Sequence, residues 1–454
     1  MSDPVLLHRL QFAFTVVYHY LFPNLTMGLA FLVVLMKGLG LRRGGERWND
    51  VARFWIRILG INFAVGVVTG VPMEFQFGTN WARFSAYAGN VVGHTLAMEG
   101  LFAFFLESSF LALLVFGERR FSRGAHFAVA CALWAGAWLS GYFIIATNAF
   151  MQHPVGHAAG PGGHLVLADF GAFLWNPWAL AQYAHNMTAT IVTASFVVAA
   201  LGAVYLLQGV HVDAARRFLR MGVWCGLVSS VLVAFPTGDT QAKLVARHQP
   251  VALAAMEGRF ESGDRAVLNL IGQPNVPARR LDNPVAVPGV LSVLAFGHFR
   301  STVEGLDAFP ERDWPDNIPL LYYSFHIMAG LGTIMVGIMG LAALLSLRGR
   351  LERSRPMLWV LMMSFPFPYI AVTAGWMTAE LGRQPWTVWG LQRTVDATSP
   401  NVHAGTTLFT LIGFCGLYLV LGVLFLFLVA REIAHGPAAP ADTDNVRSGV
   451  PAHA

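Results

Sequence analysis

The sequence predicts an all-α polytopic membrane protein with about nine transmembrane helices, and three observations support this fold class. Of the 454 residues, 55% are hydrophobic and only 12% are charged, whereas soluble domains average about 25% charged residues. Several apolar stretches exceed the ~20 residues that a helix needs to cross a bilayer. Segments rich in arginine alternate with segments poor in it, as expected of loops on opposite sides of a membrane.

Nine apolar stretches are the candidate membrane spans. They cover residues 10–40, 52–76, 92–116, 126–149, 184–207, 217–236, 319–346, 357–380 and 404–430. Arginine clusters follow the odd-numbered spans, whereas the opposite loops contain few lysines and arginines. The positive-inside rule then predicts an N-terminus on the outer, periplasmic side and a C-terminus in the cytoplasm.

The spans divide the chain into four predicted regions. Residues 1–236 hold helices one to six, 237–318 form an external hydrophilic loop, 319–435 hold helices seven to nine, and 436–454 form a disordered cytoplasmic tail. A net charge of +5 could indicate that the protein binds nucleic acid. However, the arginines lie in the loops that set membrane orientation, so no nucleic-acid partner is predicted. The three cysteines lie in apolar runs and form no CxxC pattern.

Five residues inside the spans lie towards the outer side in this topology. They are His19, Glu99, His185, Met328 and Glu380. Histidine and methionine are axial ligands of heme iron, and a single histidine or carboxylate leaves the sixth position open for O₂. The sequence therefore predicts a cluster of heme ligands near the outer surface. Taken singly, a methionine in a span usually fills the core, and a histidine often bonds a neighbouring helix.

Two carboxylates share the third span. Glu99 and Glu107 are eight residues apart, so they are predicted to lie on nearly the same helix face, ~12 Å apart along the axis. Carboxylates stacked along a span are typical of a proton path. The alternative is a structural pair that bonds serine or tyrosine side chains of neighbouring helices.

The segment GWMTAELGRQPW, residues 375–386, ends the eighth span. It places Trp376 and Glu380 four residues apart and hence on one helix face. Glu380 lies at the edge of the hydrocarbon, where a carboxylate indicates a functional site. Pro385 is expected to end the helix, because it lacks an N–H group and restricts the residue before it.

Four features together resemble the heme-bearing large subunit, subunit I, of cytochrome bd-type quinol oxidases. They are GRQPW at 382–386, MEFQFGTNW at 73–81, the two-glutamate span and the set of histidine, methionine and glutamate residues. The likeness runs from the first span to the ninth. The short outer loop is similar to that of the branch called cyanide-insensitive oxidases. The resemblance implies a nine-helix bundle with three hemes.

The resemblance also implies which residues hold these hemes. His185 and Met328 would ligate a low-spin heme b. His19 and Glu380 would ligate two high-spin hemes, one heme b and one heme d, or a third heme b in place of heme d. Which of the two ligands holds which high-spin heme stays open. No metal other than heme iron is implied.

Further roles follow from the same resemblance. Glu99 and Glu107 would serve proton delivery, and Trp376 would assist electron transfer between hemes. Arg383 would contact heme propionates or a carboxylate of a heme site. His326 stands where many members of the family have arginine, and it would bond a propionate or a semiquinone.

The external loop resembles the quinol-binding loop of the family. Gln249-Pro250 and the AAME sequence ending at Glu257 match its signature. Glu257 would be the main contact to quinol, with Gln249 beside it. Ala252 stands where many members have lysine, so a charged contact to quinol is missing in this chain.

The function implied is that of a terminal respiratory oxidase. The chain would oxidise quinol at the outer face and reduce O₂ to water at the high-spin hemes, generating proton motive force without pumping. Its partners would be a second large membrane subunit (subunit II), the lipid bilayer, and in some complexes a small single-span subunit. Its location would be the bacterial cytoplasmic (inner) membrane.

Two other classes of protein share some of these features. A quinol-linked cytochrome b that passes electrons to a partner would need the His185 and Met328 site, but not ligands at both His19 and Glu380. A proton-coupled transporter would use Glu99 and Glu107, but it would need discontinuous helices in paired halves. Pigment distinguishes the three classes, because only the oxidase absorbs at long wavelengths as well.

Overall fold

The structure, a computed structural model, describes residues 4–437. Within this part, nine helical stretches are long and apolar enough to cross a membrane, which confirms the predicted fold class. They are Pro4–Gly40, Glu46–Thr79, Ala82–Phe116, Arg123–Gln152, Phe170–Gln208, Val212–His248, Ile318–Leu347, Arg355–Gly382 and Ala404–His435. The tail predicted at 436–454 lies outside the described residues from position 438 onwards.

The α-helices and strands are numbered in chain order. The helices α1 to α15 are Pro4–Gly40, Glu46–Thr79, Ala82–Leu101, Ser108–Phe116, Arg123–Gln152, Phe170–Leu174, Pro177–Gln208, Val212–Leu232, Gly238–His248, Pro250–Met256, Val290–Phe296, Ile318–Leu347, Arg355–Met363, Pro366–Gly382 and Ala404–His435. The strands β1 to β6 are His157–Ala159, Leu165–Leu167, Leu268–Asn275, Arg280–Val287, Trp386–Val388 and Gln392–Arg393, and they form three antiparallel two-stranded sheets. Short 3₁₀ turns lie at Pro161–Gly163, Leu306–Ala308, Glu311–Asp313, Leu351–Arg353 and Thr394–Asp396.

Two spans are interrupted by π-helical turns. Phe102–Glu107 joins α3 to α4, and Val233–Thr237 joins α8 to α9. A π-turn bonds each residue to one five positions away, which inserts one extra residue into the helix, and such turns often occur at functional sites. Both π-turns lie beside residues singled out by the sequence.

Local chemistry explains where several helices begin and end. The Asn176 side chain caps the first turn of α7 by accepting a hydrogen bond from the N–H of Trp178, and Pro177 occupies the first helical position. The same helix ends at Gly209, whose left-handed backbone closes the last turn. Helix α14 ends at Gly382, three residues before Pro385.

The bundle is built around α1 and α7. Helix α1 packs against α2, α5 and α7, and α7 packs most extensively against α8. Of the 18 consecutive residues that are most apolar in the fifth span, 72% are buried within the chain. In α15 the corresponding share is only 6%. Helix α15 therefore forms an outer wall of the chain and presents most of its apolar surface to its surroundings.

The hydrophilic loop that the sequence predicts to be external, called the external loop below, folds as a packed unit. The helical structure of the sixth span continues past the predicted end at 236 as far as His248, because residues 238–248 form an amphipathic helix with an ion pair between Asp239 and Lys243. Helices α10 and α11 and the β3–β4 hairpin then form a hydrophobic cluster that includes Leu321 of α12. The loop is thereby fixed on the N-terminal end of α12.

Candidate functional site

Helix α14 is the element on which the candidate site residues meet. A Cβ atom placed on Gly375 would lie 2.8 Å from the Sδ atom of Met328, so the sulfur occupies the room that this glycine leaves. The neighbouring Trp376 ring lies 6.5 Å from the ring of Tyr20, the residue that follows His19. Helix α14 thus brings Met328 of α12 and the His19 region of α1 to one side of the bundle.

Glu380 connects α14 to two further helices. Its Oε1 accepts a hydrogen bond from Nδ2 of Asn148 at 2.8 Å, and Oδ1 of Asn148 accepts one from Nε2 of Gln182 at 2.8 Å. Gln182 precedes His185 by less than one turn of α7. The second carboxylate oxygen of Glu380 is paired with Arg383. A polar network therefore links Glu380 to the helix that carries His185.

The imidazole of His19 is oriented by a threonine hydroxyl. Its Nδ1 lies 3.1 Å from Oγ1 of Thr69, and that hydroxyl donates its own proton to the backbone oxygen of Val65 at 2.9 Å. The hydroxyl can therefore only accept from the ring, which places the proton of neutral imidazole on Nδ1. Among residues 4–437, no hydrogen-bond partner is found for Nε2, so its lone pair is free.

His185 repeats this arrangement at the second π-turn. Its Nδ1 lies 3.3 Å from Oγ1 of Thr237, whose proton is donated to the backbone oxygen of Leu232 at 3.0 Å. In the described part of the chain, Nε2 of His185 also has no hydrogen-bond partner. Metal-bound histidines typically present one nitrogen to the metal and donate from the other to an oxygen. Both histidines have this geometry.

The donor set fits heme. It comprises the two imidazoles, the thioether of Met328 and the carboxylate of Glu380. Imidazole nitrogen and thioether sulfur are common axial ligands of heme iron, and the carboxylate supplies an oxygen donor. Each carboxylate oxygen keeps a lone pair beyond the one that its hydrogen bond uses. Arg383 is buried, and its Nε atom has no partner within residues 4–437. Such a donor suits an anionic propionate.

The two glutamates of the third span flank the first π-turn. The eight-residue spacing alone does not give the predicted common face, because in a regular α-helix eight residues turn through two circles and about 80° more. The extra residue of the π-turn at Phe102–Glu107 rotates Glu107 back by about 100°. Glu99 and Glu107 are close enough to interact electrostatically, and Glu99 also interacts with Glu74 of α2. The Glu107 side chain hydrogen-bonds Ser140 of α5.

The two residues predicted to bind quinol lie in different environments. Gln249 is buried, and its Nε2 donates to the backbone oxygen of Gln152 at 2.8 Å and to Oε1 of the same residue at 2.9 Å. Glu257 is 2% exposed and its Oε2 has no partner in the described residues. Burial raises the pKa of Glu257 to about 8.

A cavity of about 450 Å³ opens beside α10. Its walls include Arg247, Leu253, Phe296 and Glu304. Glu257 is not part of these walls, so the structure does not bring this carboxyl group and the cavity together.

His326 is held between two backbone oxygens. Its Nδ1 lies 2.8 Å from the oxygen of Tyr322, and its Nε2 lies 2.7 Å from the oxygen of Asn269. Carbonyl oxygens only accept hydrogen bonds, so a ring nitrogen that bonds here does so as a donor. Asn269 in turn donates to the backbone oxygen of Glu257 at 2.9 Å. His326 thus ties the external loop to α12 two residues before Met328.

Sequence reasoning missed several residues of the site. Thr69 and Thr237 carry no sequence signal, because a threonine in a span is usually a packing residue. Asn148 and Tyr322 were not singled out; the hydroxyl of Tyr322 is buried without a partner among residues 4–437. Glu74 lies in the MEFQFGTNW segment, and the criterion that selected Glu99, a carboxylate within a span, would have found it.

Comparison with known proteins places this arrangement in one family. The sequence model of the family described as cytochrome bd terminal oxidase subunit I matches residues 7–437. The chain is 37% identical over 452 residues to the cytochrome bd ubiquinol oxidase subunit 1 of Bacillus subtilis (strain 168), covering 96% of this chain and 94% of that relative. It is 32% identical over 505 residues to the cytochrome bd-II ubiquinol oxidase subunit 1 of Escherichia coli (strain K12), covering 97% and 98%.

A solved structure agrees with the sequence matches. The bd oxidase from Geobacillus thermodenitrificans has a chain that superposes with a TM-score of 0.89 at 30% identity, covering 96% of this chain and 99% of that one. These similarities confirm the predicted family, and they imply heme cofactors and a second subunit. The chain belongs to the cytochrome bd terminal oxidase subunit I family and is the subunit of a membrane-bound quinol oxidase that serves as a terminal respiratory oxidase.

Proposed function

We propose that four residues around α14 hold the hemes of this oxidase. His185 and Met328 would ligate a low-spin heme b, and His19 and Glu380 would each ligate a high-spin heme. One high-spin heme would be heme b, and the other heme d or a third heme b. When bound, these groups supply the electron transfer and the reduction of O₂ to water.

One observation carries this proposal. Two histidines in different helices each donate Nδ1–H to a threonine hydroxyl and leave Nε2 free. This is the arrangement that a metal-bound histidine adopts, with one nitrogen held by an oxygen and the other available to the metal. The contacts of α14 with Met328, and through Asn148 with the helix of His185, bring the thioether and the carboxylate into the same part of the bundle.

The remaining residues would position these groups and move protons. Arg383 would orient Glu380 and offer its free Nε to a propionate. Trp376 would assist electron transfer between the hemes. Glu107 and Glu99 would pass protons from the cytoplasmic side, and the π-turn and Ser140 support this role by aligning and bonding the carboxylates. The protons consumed in O₂ reduction would come from the cytoplasm, whereas quinol would release its own protons outside. This separation would generate proton motive force without pumping.

Quinol would bind at the external loop. The buried Glu257 would accept a proton from it, and Gln249, held in place by its bonds to Gln152, would contact quinol beside Glu257. His326 would hold the loop against α12 through its contacts with the backbone oxygens of Tyr322 and Asn269. Whether the donor is ubiquinol or menaquinol does not change these roles.

The proposed setting is the bacterial cytoplasmic membrane, with the N-terminus outside. The second large subunit would pack against the chain, and a small single-span subunit would join in some complexes. The poorly buried apolar surface of α15 supports a surrounding of lipid or partner helices. We also propose that the chain belongs to the short-loop branch of the family that is called cyanide-insensitive.

A reduced-minus-oxidised absorption spectrum of the purified complex, repeated with carbon monoxide, tests the heme assignment. We expect low-spin heme b bands together with CO-sensitive high-spin bands. A chlorin band in the red would identify heme d, and its absence would leave heme b in that position. Low-spin bands without any CO-sensitive component would contradict the roles of His19 and Glu380.

The external loop gives a pH-dependent prediction. Because burial raises the pKa of Glu257 to about 8, this carboxyl group is protonated below that pH and can accept a proton only above it. Quinol oxidation is therefore expected to rise as the pH increases through about 8. Glu257→Gln should slow it by about 100-fold or more, since general-base contributions are of this size, and should remove this rise.

The control for Glu257 is an artificial electron donor that does not need the external loop. Its oxidation should be unchanged in Glu257→Gln. If the variant kept the rate and the pH profile of quinol oxidation, Glu257 would be a structural residue.

A further inference from the structure

A second cavity lies far from the candidate heme ligands, where α2 and α8 begin side by side. Its volume is about 240 Å³. It is lined by Trp48, Asp213, Arg216, Arg217 and Arg220. By the positive-inside rule, this end of the bundle faces the cytoplasm. Three arginines around one small cavity indicate a site for an anion.

The acidic neighbours do not neutralise all of these arginines. Asp213 pairs with Arg47 at 3.2 Å, and Glu352 pairs with Arg216 at 2.7 Å. Arg217 instead donates to the backbone oxygen of Asp213 at 2.8 Å. Among residues 4–437, no carboxylate forms a salt bridge with Arg217 or Arg220. Two guanidinium groups therefore lie near each other without a direct salt bridge, and Asp213 and Asp50 act on Arg217 only at longer range.

An exposed apolar stripe continues from the cavity along α8. Trp224, Val228 and Leu232 follow Arg220 at intervals of four residues, so they lie along one side of the helix. All three are exposed on the surface of the chain. The stripe leads from the charged end of the helix into the part that crosses the membrane. The acyl chain of a lipid whose headgroup lay at the arginines would follow the same direction.

We propose that this cavity binds the phosphate headgroup of an anionic phospholipid, with an acyl chain lying along Trp224, Val228 and Leu232. Guanidinium groups bind phosphate oxygens through paired, charge-assisted hydrogen bonds. Basic pockets between transmembrane helices on the cytoplasmic side are suited to such headgroups. Arginines that only set membrane orientation would need neither the cavity nor the apolar stripe beside it.

Native mass spectrometry of the complete, delipidated oxidase complex tests this proposal. The complex is titrated with phosphatidylglycerol, phosphatidylcholine or inorganic phosphate. We expect the double variant Arg217→Gln, Arg220→Gln to bind phosphatidylglycerol about tenfold or more weakly, because each arginine near anionic lipid contributes about 1 kcal/mol. The matched control is Arg119→Gln with Arg120→Gln, which removes the same charge from two exposed arginines of another loop.

The outcomes separate the possible anions. Preference for phosphatidylglycerol that is lost in the α8 variant, kept in the control and weakened by Trp224→Ala supports the lipid site. Equal losses in the α8 variant and the control would attribute the effect to net charge and overturn the proposal. Binding of inorganic phosphate as tight as that of the lipid, with no effect of Trp224→Ala, would assign the cavity to a free anion. An unchanged heme spectrum in each variant shows that the complex has folded.

Discussion

Met328→Leu is expected to abolish the low-spin heme signal while the CO-sensitive high-spin signals remain. Leucine has no sulfur to coordinate iron, yet exchanges of methionine and leucine in a core usually cost less than about 1.5 kcal/mol. Loss of the signal would therefore report lost ligation rather than unfolding. Quinol-dependent O₂ uptake should fall by about 100-fold or more, because even residues that only support a metal ligand account for 10- to 100-fold.

The same helix offers a matched control for this variant. Met335 is buried in the hydrophobic core about two turns further along α12, and Met335→Leu should leave all heme bands unchanged. Glu380→Ala should have the complementary effect and disturb a high-spin signal only. Because alanine would also leave the buried Arg383 unpaired, Glu380→Gln is the gentler second variant. Retention of the full spectrum in both Met328→Leu and Glu380→Gln would refute the ligand assignment.

Glu118→Gln is expected to destabilise the opposite end of the bundle. The side chain of Lys37 is 3% exposed, and its Nζ lies 2.9 Å from Oε1 of Glu118, whose Oε2 accepts a hydrogen bond from Arg53 at 2.7 Å. Removing the negative charge leaves the buried lysine without its hydrogen-bonded carboxylate, and Asp50 acts on it only at longer range. Breaking a fully buried pair costs 3–5 kcal/mol, and because Glu118 is 29% exposed we expect about 2–3 kcal/mol.

Thermal unfolding of the complex, followed by loss of heme absorbance, measures this effect. Glu46→Gln is the control, since Glu46 belongs to an exposed pair with Arg123 and should cost less than about 1 kcal/mol. Adding Lys37→Met to Glu118→Gln should recover part of the loss, because the buried charge is then gone. Equal melting temperatures for Glu118→Gln and the wild type would contradict the prediction.

The pKa of Glu118 fixes the pH range of this contribution. Burial alone would raise the pKa, but hydrogen bonds from Arg53 and Lys37 more than offset it and hold the pKa at about 2. A carboxylate whose pKa is lowered by folding stabilises the protein above its unfolded value, and the stabilisation is lost as the pH falls towards the folded value. The difference between Glu118→Gln and wild type should thus be full at neutral pH and shrink only in acid.

Hydropathy and arginine placement were sufficient to predict the nine spans, because a bilayer requires long apolar helices. The family and its function also followed from motifs such as GRQPW. The roles of His19, His185, Met328 and Glu380 remain predictions, which the geometry of their neighbours supports.

Contacts between distant residues could not be read from the sequence. The bond from Gln249 to Gln152 joins positions 97 residues apart, and nothing in either segment indicates it. The π-turns were also missed, since apolar residues such as those at 102–106 satisfy an α-helix and a π-turn equally well. Only the packing of the neighbouring helices decides between the two.

The π-turn at Phe102–Glu107 also limits how this span can change over generations. Losing one residue there would restore a regular helix and swing every side chain beyond it by about 100° around the axis. The span can therefore exchange individual amino acids more freely than it can change its length. Among descendants of this gene, we expect substitutions in this stretch to accumulate while single-codon deletions are eliminated.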